Sequence, residues 1–439
     1  MRLGSAGPPP ALSALRHEQF RLLFGGLAAS NLGIWMQQFA LGWLVVQLAI
    51  DDGNPALAGF YLGLRSIASA VPALAFGLFA GVFADRMDRR TILVHARVAS
   101  ALVAVTLALV VVAGHANIGL VMLLSVAASA AFAFDPPGRQ AILPNTVPPG
   151  DLFSAMGLTR AGMQAAHTIG PLLAGVLVIP LGVGGVLLAK AGLDMASVAA
   201  LRRMRAYPVD ASSRAIGVFG SLREGIGHVL QVDLIRWIVV LQIVSAVLAQ
   251  SFMQLLPAVA VDTLRVGAVE LSWLVAATGV GSLVGAFWLA GLEGVQRRGV
   301  LLLGTMLSVG VMLALLGLQR ELLGTLMVLA ALGVLQQLFL GTQTVILQLA
   351  APDRLRGRVM GMQSVIFMSC GPLGVLGVGT LGTFIGISTA ILIAGAAVAG
   401  VAVVALLRLA VIREIRADDG IARDRTDAFA PAPVAEGTD

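Results

Sequence analysis

Lys190 and Asp194 stand four positions apart inside an otherwise apolar stretch, "GVGGVLLAKAGLDMASVAAL" (182–201). A carboxylate there could take up and release a proton, and ionisable residues within apolar runs are functional candidates by default. The spacing equally puts both groups on one helix face, where they can neutralise each other as a structural ion pair. Arg65 is another cation inside an apolar run, placed to snorkel outward or to meet an anionic substrate. Arg97 is expected to snorkel to the cytoplasmic face. Asp135 and Arg139 can share a helix face near the end of a run, as an interfacial pair or as part of a larger charge cluster. A polar set accompanies these charges: Trp35, Gln37 and Gln38; Gln164 and His167; Gln250 and Gln254; Gln336, Gln337 and Gln343. Amides of this kind can hydrogen-bond a neutral or zwitterionic ligand, or glue helices together; residue by residue, glue is the simpler reading.

The motifs of other chemistries are missing. There is no P-loop, HExxH or paired-cysteine motif, and the five histidines are scattered, so neither an enzyme nor an ATP-driven pump is expected. No cofactor and no metal are called for. Cys370 is the sole cysteine, which excludes an internal disulfide and suits packing among small apolar neighbours.

The elements that must hold these residues follow from composition. Hydrophobic residues make up 58% of the 439 and charged residues 12%, about half the charged share that a water-soluble surface needs. Apolar runs recur from residue 20 to residue 412, each long enough to cross a bilayer as a helix of about 20 residues. The expectation is an all-α polytopic membrane protein with twelve spans: 20–49, 57–83, 91–113, 118–141, 155–179, 183–201, 235–260, 268–292, 299–318, 322–350, 359–385 and 387–411. The net charge of +6 is no nucleic-acid signal, because the basic residues sit in short loops. Arginines crowd the loops after even-numbered spans, whereas those after odd-numbered spans hold only Arg265 and Arg320; both termini are therefore expected in the cytoplasm. The basic start, 1–19, reads as a cytoplasmic leader rather than a cleaved signal. Residues 202–234 read as a linker whose apolar positions (Ile216, Phe219, Leu222, Ile226, Val229, Leu230) form an amphipathic interfacial helix. Residues 412–439 read as a disordered tail.

The chain also repeats itself weakly. "ILPNTVPPGDLFSAMG" (142–157) aligns with "ILQLAAPDRLRGRVMG" (346–361) at one constant offset, and "GPLLAG" (170–175) recurs as "GPLG" (371–374). This equates spans 4–5 with spans 10–11 and makes two like-directed six-helix bundles, 20–201 and 235–411, with a substrate path on the axis between them.

"GVFADRMDRR" (81–90) resembles the loop 2–3 signature of the major facilitator superfamily. "FDPPGRQAILPNTVPPGDL" with "GPLLAG", and "PDRLRGRVMG", resemble its branch containing the enterobactin exporter and the macrolide and multidrug efflux proteins. The resemblance covers roughly residues 16–412. It implies a cytoplasmic latch between the halves, with Asp85, Arg86, Asp88, Arg89 and Arg90 on one side and Arg354, Arg356 and Arg358 before span 11 on the other. The positive end of the span 11 helix would add to that attraction, and Asp135 with Arg139 would extend it. Gly170, Pro171 and Gly175 would form a transport hinge or seal, with a plain packing kink as the alternative. Span 6 would be a supporting helix, which favours the structural reading of Lys190 and Asp194. The acid that often follows the first-span "LG" is replaced by Ile34.

The function expected is proton-coupled efflux of a small amphipathic, drug-like or siderophore-like compound by alternating access, from a monomer in a bacterial inner membrane. A lysophospholipid or other lipid flippase of the same fold is the alternative. In another class stand a membrane-embedded enzyme, which lacks its convergent groups, and a non-transporting sensor, whose output domain a partner would have to supply because the ends read as too short for one.

Overall fold

The computed structural model describes residues 12–84, 88–205, 227, 231–292 and 295–415. All regular structure among them is helical. In chain order the elements are α1 (Glu18–Asp51), α2 (Ala58–Ala84), α3 (Arg89–Val112), α4 (Ile118–Phe132), α5 (Asp135–Ile142) and α6 (Leu152–Arg203). They continue with α7 (Asp233–Leu264), α8 (Ala268–Ala290), α9 (Arg298–Leu318), α10 (Leu322–Ala350), α11 (Asp353–Ile385), α12 (Ile387–Arg408) and α13 (Ala410–Arg413). Among the described residues ten helical segments are long and apolar enough to cross a membrane, and α4 is a shorter apolar helix.

Two boundaries differ from the sequence expectation, at 118–141 and in α7, each for a local reason. The run 118–141 is broken: α4 stops at Phe132, and the prolines of "DPPG" sit at the first turn of a new helix, α5, where their missing N–H costs nothing. Spans 155–179 and 183–201 are the two limbs of α6, separate helices that meet at Gly182, where the backbone leaves the helical region. α7 is continuous to Leu264 but widens into π-helical turns at Ser245–Ala249 and Val259–Leu264. The described end of the leader is held in place: Ser13–Arg16 form a 3-10 turn with Ala14 buried, and His17 Nε2 lies 2.7 Å from Asp151 Oδ2. The amphipathic stretch 216–230 lies almost wholly outside the described residues, as does the tail.

Gly182 reverses the chain. Before it, α6 runs parallel to α1, since Gly162 meets Phe24 and Gly170 meets Trp35. After it, α6 runs antiparallel to α1, since Lys190 meets Gly33 and Ser197 meets Gly26. Pro171 and Pro180 lie within α6, yet Gly182 alone leaves the helical backbone, at φ 65° and ψ 178°. That region is essentially closed to residues with a Cβ. Gly182→Ala is therefore expected to cost about 1–3 kcal/mol, read as a lower thermal midpoint of the purified protein with the helical circular dichroism of the cold state unchanged.

The helix pairing is mirrored along the chain. The second limb of α6 packs antiparallel on α3, with Gly184 against Ala108 and Lys190 against Ser100; α9 and α12 pack antiparallel likewise, with Gly310 against Ala399 and Gly317 against Ser388. α2 pairs with α4 as α8 pairs with α10. Two further contacts join the early helices to the late ones. α2 meets α11, with Gly59 on Gly379 and Gly63 on Leu376. The first limb of α6 meets α8, with Gly175 on Ser272 and Thr168 on Gly279. Small residues at these crossings let backbones approach where lipid supplies no hydrophobic drive.

Candidate functional site

Among the described residues five charged side chains are buried: Arg65, Arg97, Asp135, Lys190 and Asp194. Four of them form two ion pairs. Lys190 Nζ donates to Asp194 Oδ2 at 2.7 Å, to the Ser100 carbonyl at 3.1 Å and to Ser100 Oγ. Ser30 Oγ donates to Asp194 Oδ1 at 3.3 Å. All three ammonium protons thus have acceptors, and the pair ties the second limb of α6 to α1 and α3. Gly33 makes the room, since an added Cβ would lie 3.1 Å from Lys190 Cγ. Neither serine stands out in the sequence; only the fold brings α1 and α3 to opposite sides of the pair.

Arg97 corrects the sequence reading. It is 2% exposed and donates to Asp135 Oδ1 instead of reaching a membrane face. Arg139 Nη1 stands 4.0 Å from Asp135 Oδ2, so the pair foreseen in the sequence is the weaker arm of a triad. The nearness of Arg97 to Asp135 could not be seen in the sequence, because 38 residues separate them.

The loop 2–3 cluster is described only in part. Asp85 and Arg86 lie outside the described residues, as do the side chains of Arg89, Arg354, Arg356 and Arg358. Asp88 caps α3, accepting from Thr91 N at 3.1 Å and Thr91 Oγ1 at 2.8 Å. Arg90 Nη2 donates to the Arg202 carbonyl at the end of α6 at 2.6 Å. The interleaved acid at 88 thus has a local reason: it satisfies donors that a helix start leaves open.

The polar set divides between glue and cavity. Gln343 is fully buried and donates to the Ile238 carbonyl and to Gln242 Oε1, both at 3.3 Å; Gln242 in turn donates to the Gln363 carbonyl at 2.9 Å. Gln336 donates to the Ala249 carbonyl in α7 at 2.9 Å. These amides fasten α10 and α11 to α7. Gln343→Leu is expected to cost about 1 kcal/mol, seen as a small fall in thermal midpoint.

The remaining members lie near the junction of early and late helices. Trp35 and His167 meet edge to face, with ring centroids 4.1 Å apart, and His167 Nδ1 is buried without a partner. Gln164 lies half-buried one turn along the same face of α6, and Gln250 is half-buried with an unpartnered Nε2. Gln38 and Gln254 are exposed. Each sits one turn before the contact of Gly42 with Pro257, where an added Cβ would lie 3.1 Å from Pro257 Cγ. Arg65 is buried at 5% exposure and donates from Nη1 to Gln38 Oε1 at 2.9 Å. It therefore turns toward α1 instead of snorkelling outward. No carboxylate among the described residues lies within 4.0 Å of it, and its Nε has no acceptor. An uncompensated cation in a membrane helix costs about 2.5–3.5 kcal/mol on insertion scales.

The closures lie at one end. Gly170 lets α6 onto α1, with an added Cβ 2.7 Å from Trp35 Cβ; Gly175 lets α6 onto α8, with an added Cβ 2.6 Å from Ser272 Oγ. Pro171 is buried between them without breaking the helix. These contacts, with Gly59 on Gly379 and Gly63 on Leu376, belong to the end of the molecule away from the arginine-rich loops. On the same helices Gly77, Gly157 and Gly361, nearer those loops, would meet nothing within 4 Å among the described residues. Beyond the Gly42–Pro257 contact, a cavity of about 520 Å³ lies between Trp43, Gln47 and Asp51 of α1 and Val261, Arg265 and Val266 at the end of α7.

Paired apolar helices, buried ion pairs and a polar seam between early and late helices describe a membrane transporter, and solved transporters share this fold. A bacterial homologue of the human lysosomal transporter Spinster aligns at a TM-score of 0.66 and 14% identity, over 90% of this chain and 96% of that one. A peptide transporter of the POT family aligns at a TM-score of 0.71 and 10% identity, over 90% and 95%. The chain belongs to the transmembrane secretion effector family, MFS_3, which it matches across residues 10–437. It is 26% identical to the multidrug efflux pump Tap of Mycolicibacterium fortuitum over 85% of this chain and 93% of that protein. It is 26% identical to the enterobactin exporter EntS of Shigella boydii serotype 18, over 92% and 94%. It is 22% identical to macrolide efflux protein A of Streptococcus pyogenes, over 91% and 96%. The expected branch of the major facilitator superfamily is thereby established, and the protein is a transporter, not an enzyme.

Proposed function

We propose that this protein is a twelve-crossing secondary transporter that exports a small amphipathic, drug-like or siderophore-like compound by alternating access. Ten long helices become twelve crossings when α6 counts twice, because it reverses at Gly182, and when α4 is included. The observation that carries the reading is the mirrored pairing: α3 with the second limb of α6 as α9 with α12, and α2 with α11 as α8 with the first limb of α6. Two six-helix bundles packed about a pseudo-twofold axis pair in this way, and their rocking moves a gate from one side of a central site to the other.

With both termini in the cytoplasm, the glycine-backed closure faces away from the cytoplasm and the polar seam below it is reached from the cytoplasmic side. That is the loading pose of an exporter. The latch of Asp85 to Arg90 with Arg354, Arg356 and Arg358 would close the cytoplasmic side in the opposite pose, by a contact made in one state only. Efflux by Tap, EntS and macrolide efflux protein A supports the direction. Protons are the proposed coupling ion, with His167 beside the seam as the group placed to carry one. The proposed setting is a bacterial inner membrane, with the chain acting as a monomer.

The test is accumulation in inverted membrane vesicles, with and without an imposed pH gradient, using dyes, macrolides, catecholate siderophores and lysolipids. Uptake of a dye, macrolide or siderophore that collapses with the gradient is expected. Uptake of lysolipids alone would replace export of soluble compounds by lipid flipping. Gradient-independent uptake would remove the proton.

A further inference from the structure

We propose that Arg65, with the exposed amides of Gln38 and Gln254, forms an anion-recognition site, so that the transported compound is an anionic amphiphile: an apolar body carrying a carboxylate, catecholate, phosphate or sulfonate. The inference rests on the transport reading above and names the substrate class of that site.

The first support is the distribution of charge. Of the five buried charged side chains, Arg97 is balanced by Asp135 and Lys190 by Asp194, and Arg65 alone has no counter-ion among the described residues. The late helices offer none either. Asp233, Asp262, Glu270, Glu321 and Glu414, the described acids of α7 to α13 and their turns, all sit at helix ends. With Arg65 unbalanced and no carboxylate among the described residues within ion-pair distance of it, the seam attracts anions and repels cations, and weak solvation there strengthens both effects.

The second support is position. Arg65 lies two turns into α2, about 10 Å along the helix axis from Ala58. Two residues before it, Gly63 packs on Leu376 of α11; its acceptor, Gln38, lies one turn before the Gly42 contact with Pro257 of α7. Arg65 and its acceptor therefore lie within about a turn of two of the crossings that join early to late helices, α2 with α11 and α1 with α7. Its donor capacity is not used up: Nη1 serves Gln38 and Nε serves nothing. An entering anion can take the place of Gln38 Oε1 and accept two parallel bonds from one guanidinium edge. Gln254, exposed on α7 one turn before the Gly42 contact at Pro257, is the neutral donor proposed from the late helices. A merely structural arginine, pinning α2 to α1 through Gln38, is the competing reading, and it makes the opposite stability prediction.

The experiment uses the purified full chain in detergent and two fluorescent probes that share one apolar body, pyrenebutyrate and a pyrenebutyl trimethylammonium salt. Wild type is expected to bind the anion at least about tenfold more tightly than the cation, a difference of about 1.4 kcal/mol. Arg65→Gln is expected to lose that preference and Arg65→Lys to retain part of it. The thermal midpoint of Arg65→Gln should equal or exceed that of wild type, because an uncompensated buried charge is removed. Equal binding of the two probes by wild type, no binding of the anion, or unchanged preference in Arg65→Gln would each overturn the site. A fall in midpoint with preference intact would assign Arg65 to helix pinning. If inverted vesicles carry cationic dyes and Arg65→Gln carries them equally well, the anion site falls while export stands; if no probe of any charge moves, export itself falls.

Discussion

Lys190→Met is expected to destabilise the protein by about 3–5 kcal/mol. The substitution leaves the Asp194 carboxylate fully buried, with only the Ser30 hydroxyl 3.3 Å away as a donor, and an uncompensated buried charge costs that much. The converse follows from the same physics. A double variant, Lys190→Met with Asp194→Leu, removes both charges from a site that already excludes water and is expected to recover most of the loss. A double-mutant cycle on thermal or denaturant stability measures the coupling directly. It also separates the two roles open to the pair. If the pair only fastens α6 to α1 and α3, the double variant and Asp194→Asn both transport normally once folded. Loss of gradient-driven transport in a stable Asp194→Asn protein would instead make Asp194 a proton carrier.

The second large effect is conformational. Gly63→Ala and Gly175→Ala each place a Cβ on the seam between early and late helices, the first against the Leu376 backbone and the second against the Ser272 side chain. Overpacking of this kind costs about 1–3 kcal/mol, and here the cost falls only on the pose in which that end is closed. Since 1.4 kcal/mol is a factor of ten in an equilibrium constant, the ratio of closed to open should fall roughly 5- to 150-fold. Labels on cysteines introduced at Asn54 and Phe384, both exposed, would report it in a Cys370→Ser background as a longer distance across that end. Gly281→Ala is the control: its Cβ would strike the Ala330 carbonyl between α8 and α10, inside one half of the pairing. It should lower the thermal midpoint without moving the label distance. Unchanged distances in all three variants would show that the seam does not gate.

How much of this could be read from the chain differs by kind of residue. Hydropathy places ten long helices because each crossing must satisfy its own backbone within one continuous apolar run, so the signal is local. The Gly182 reversal falls inside the gap between the two runs read there, 179 and 183, although no polar residue marks it. The exception at 118–141 is also local in cause: the two prolines of "DPPG" start a helix of their own. Buried polar side chains behaved differently. The i,i+4 spacing of Lys190 and Asp194 announced a pair, but Ser100 and Ser30, which hold it, come from 90 and 164 residues away. Arg97 looked like a snorkelling residue until α5 folded back and set Asp135 beside it. Arg65, open in the sequence between snorkelling outward and meeting an anionic substrate, turned inward to Gln38.

The chain by itself therefore determined that this is a polytopic helical membrane protein of an efflux-type family, because element length, apolarity and short loop motifs are properties of contiguous residues. Tertiary structure alone decided which buried charges are neutralised and which one is left over. Ion pairing is settled within about 4 Å in space, a distance that hydropathy and spacing do not encode. Only folding shows that two cations found their carboxylates and that Arg65, near the crossings at Gly63 and Gly42, did not.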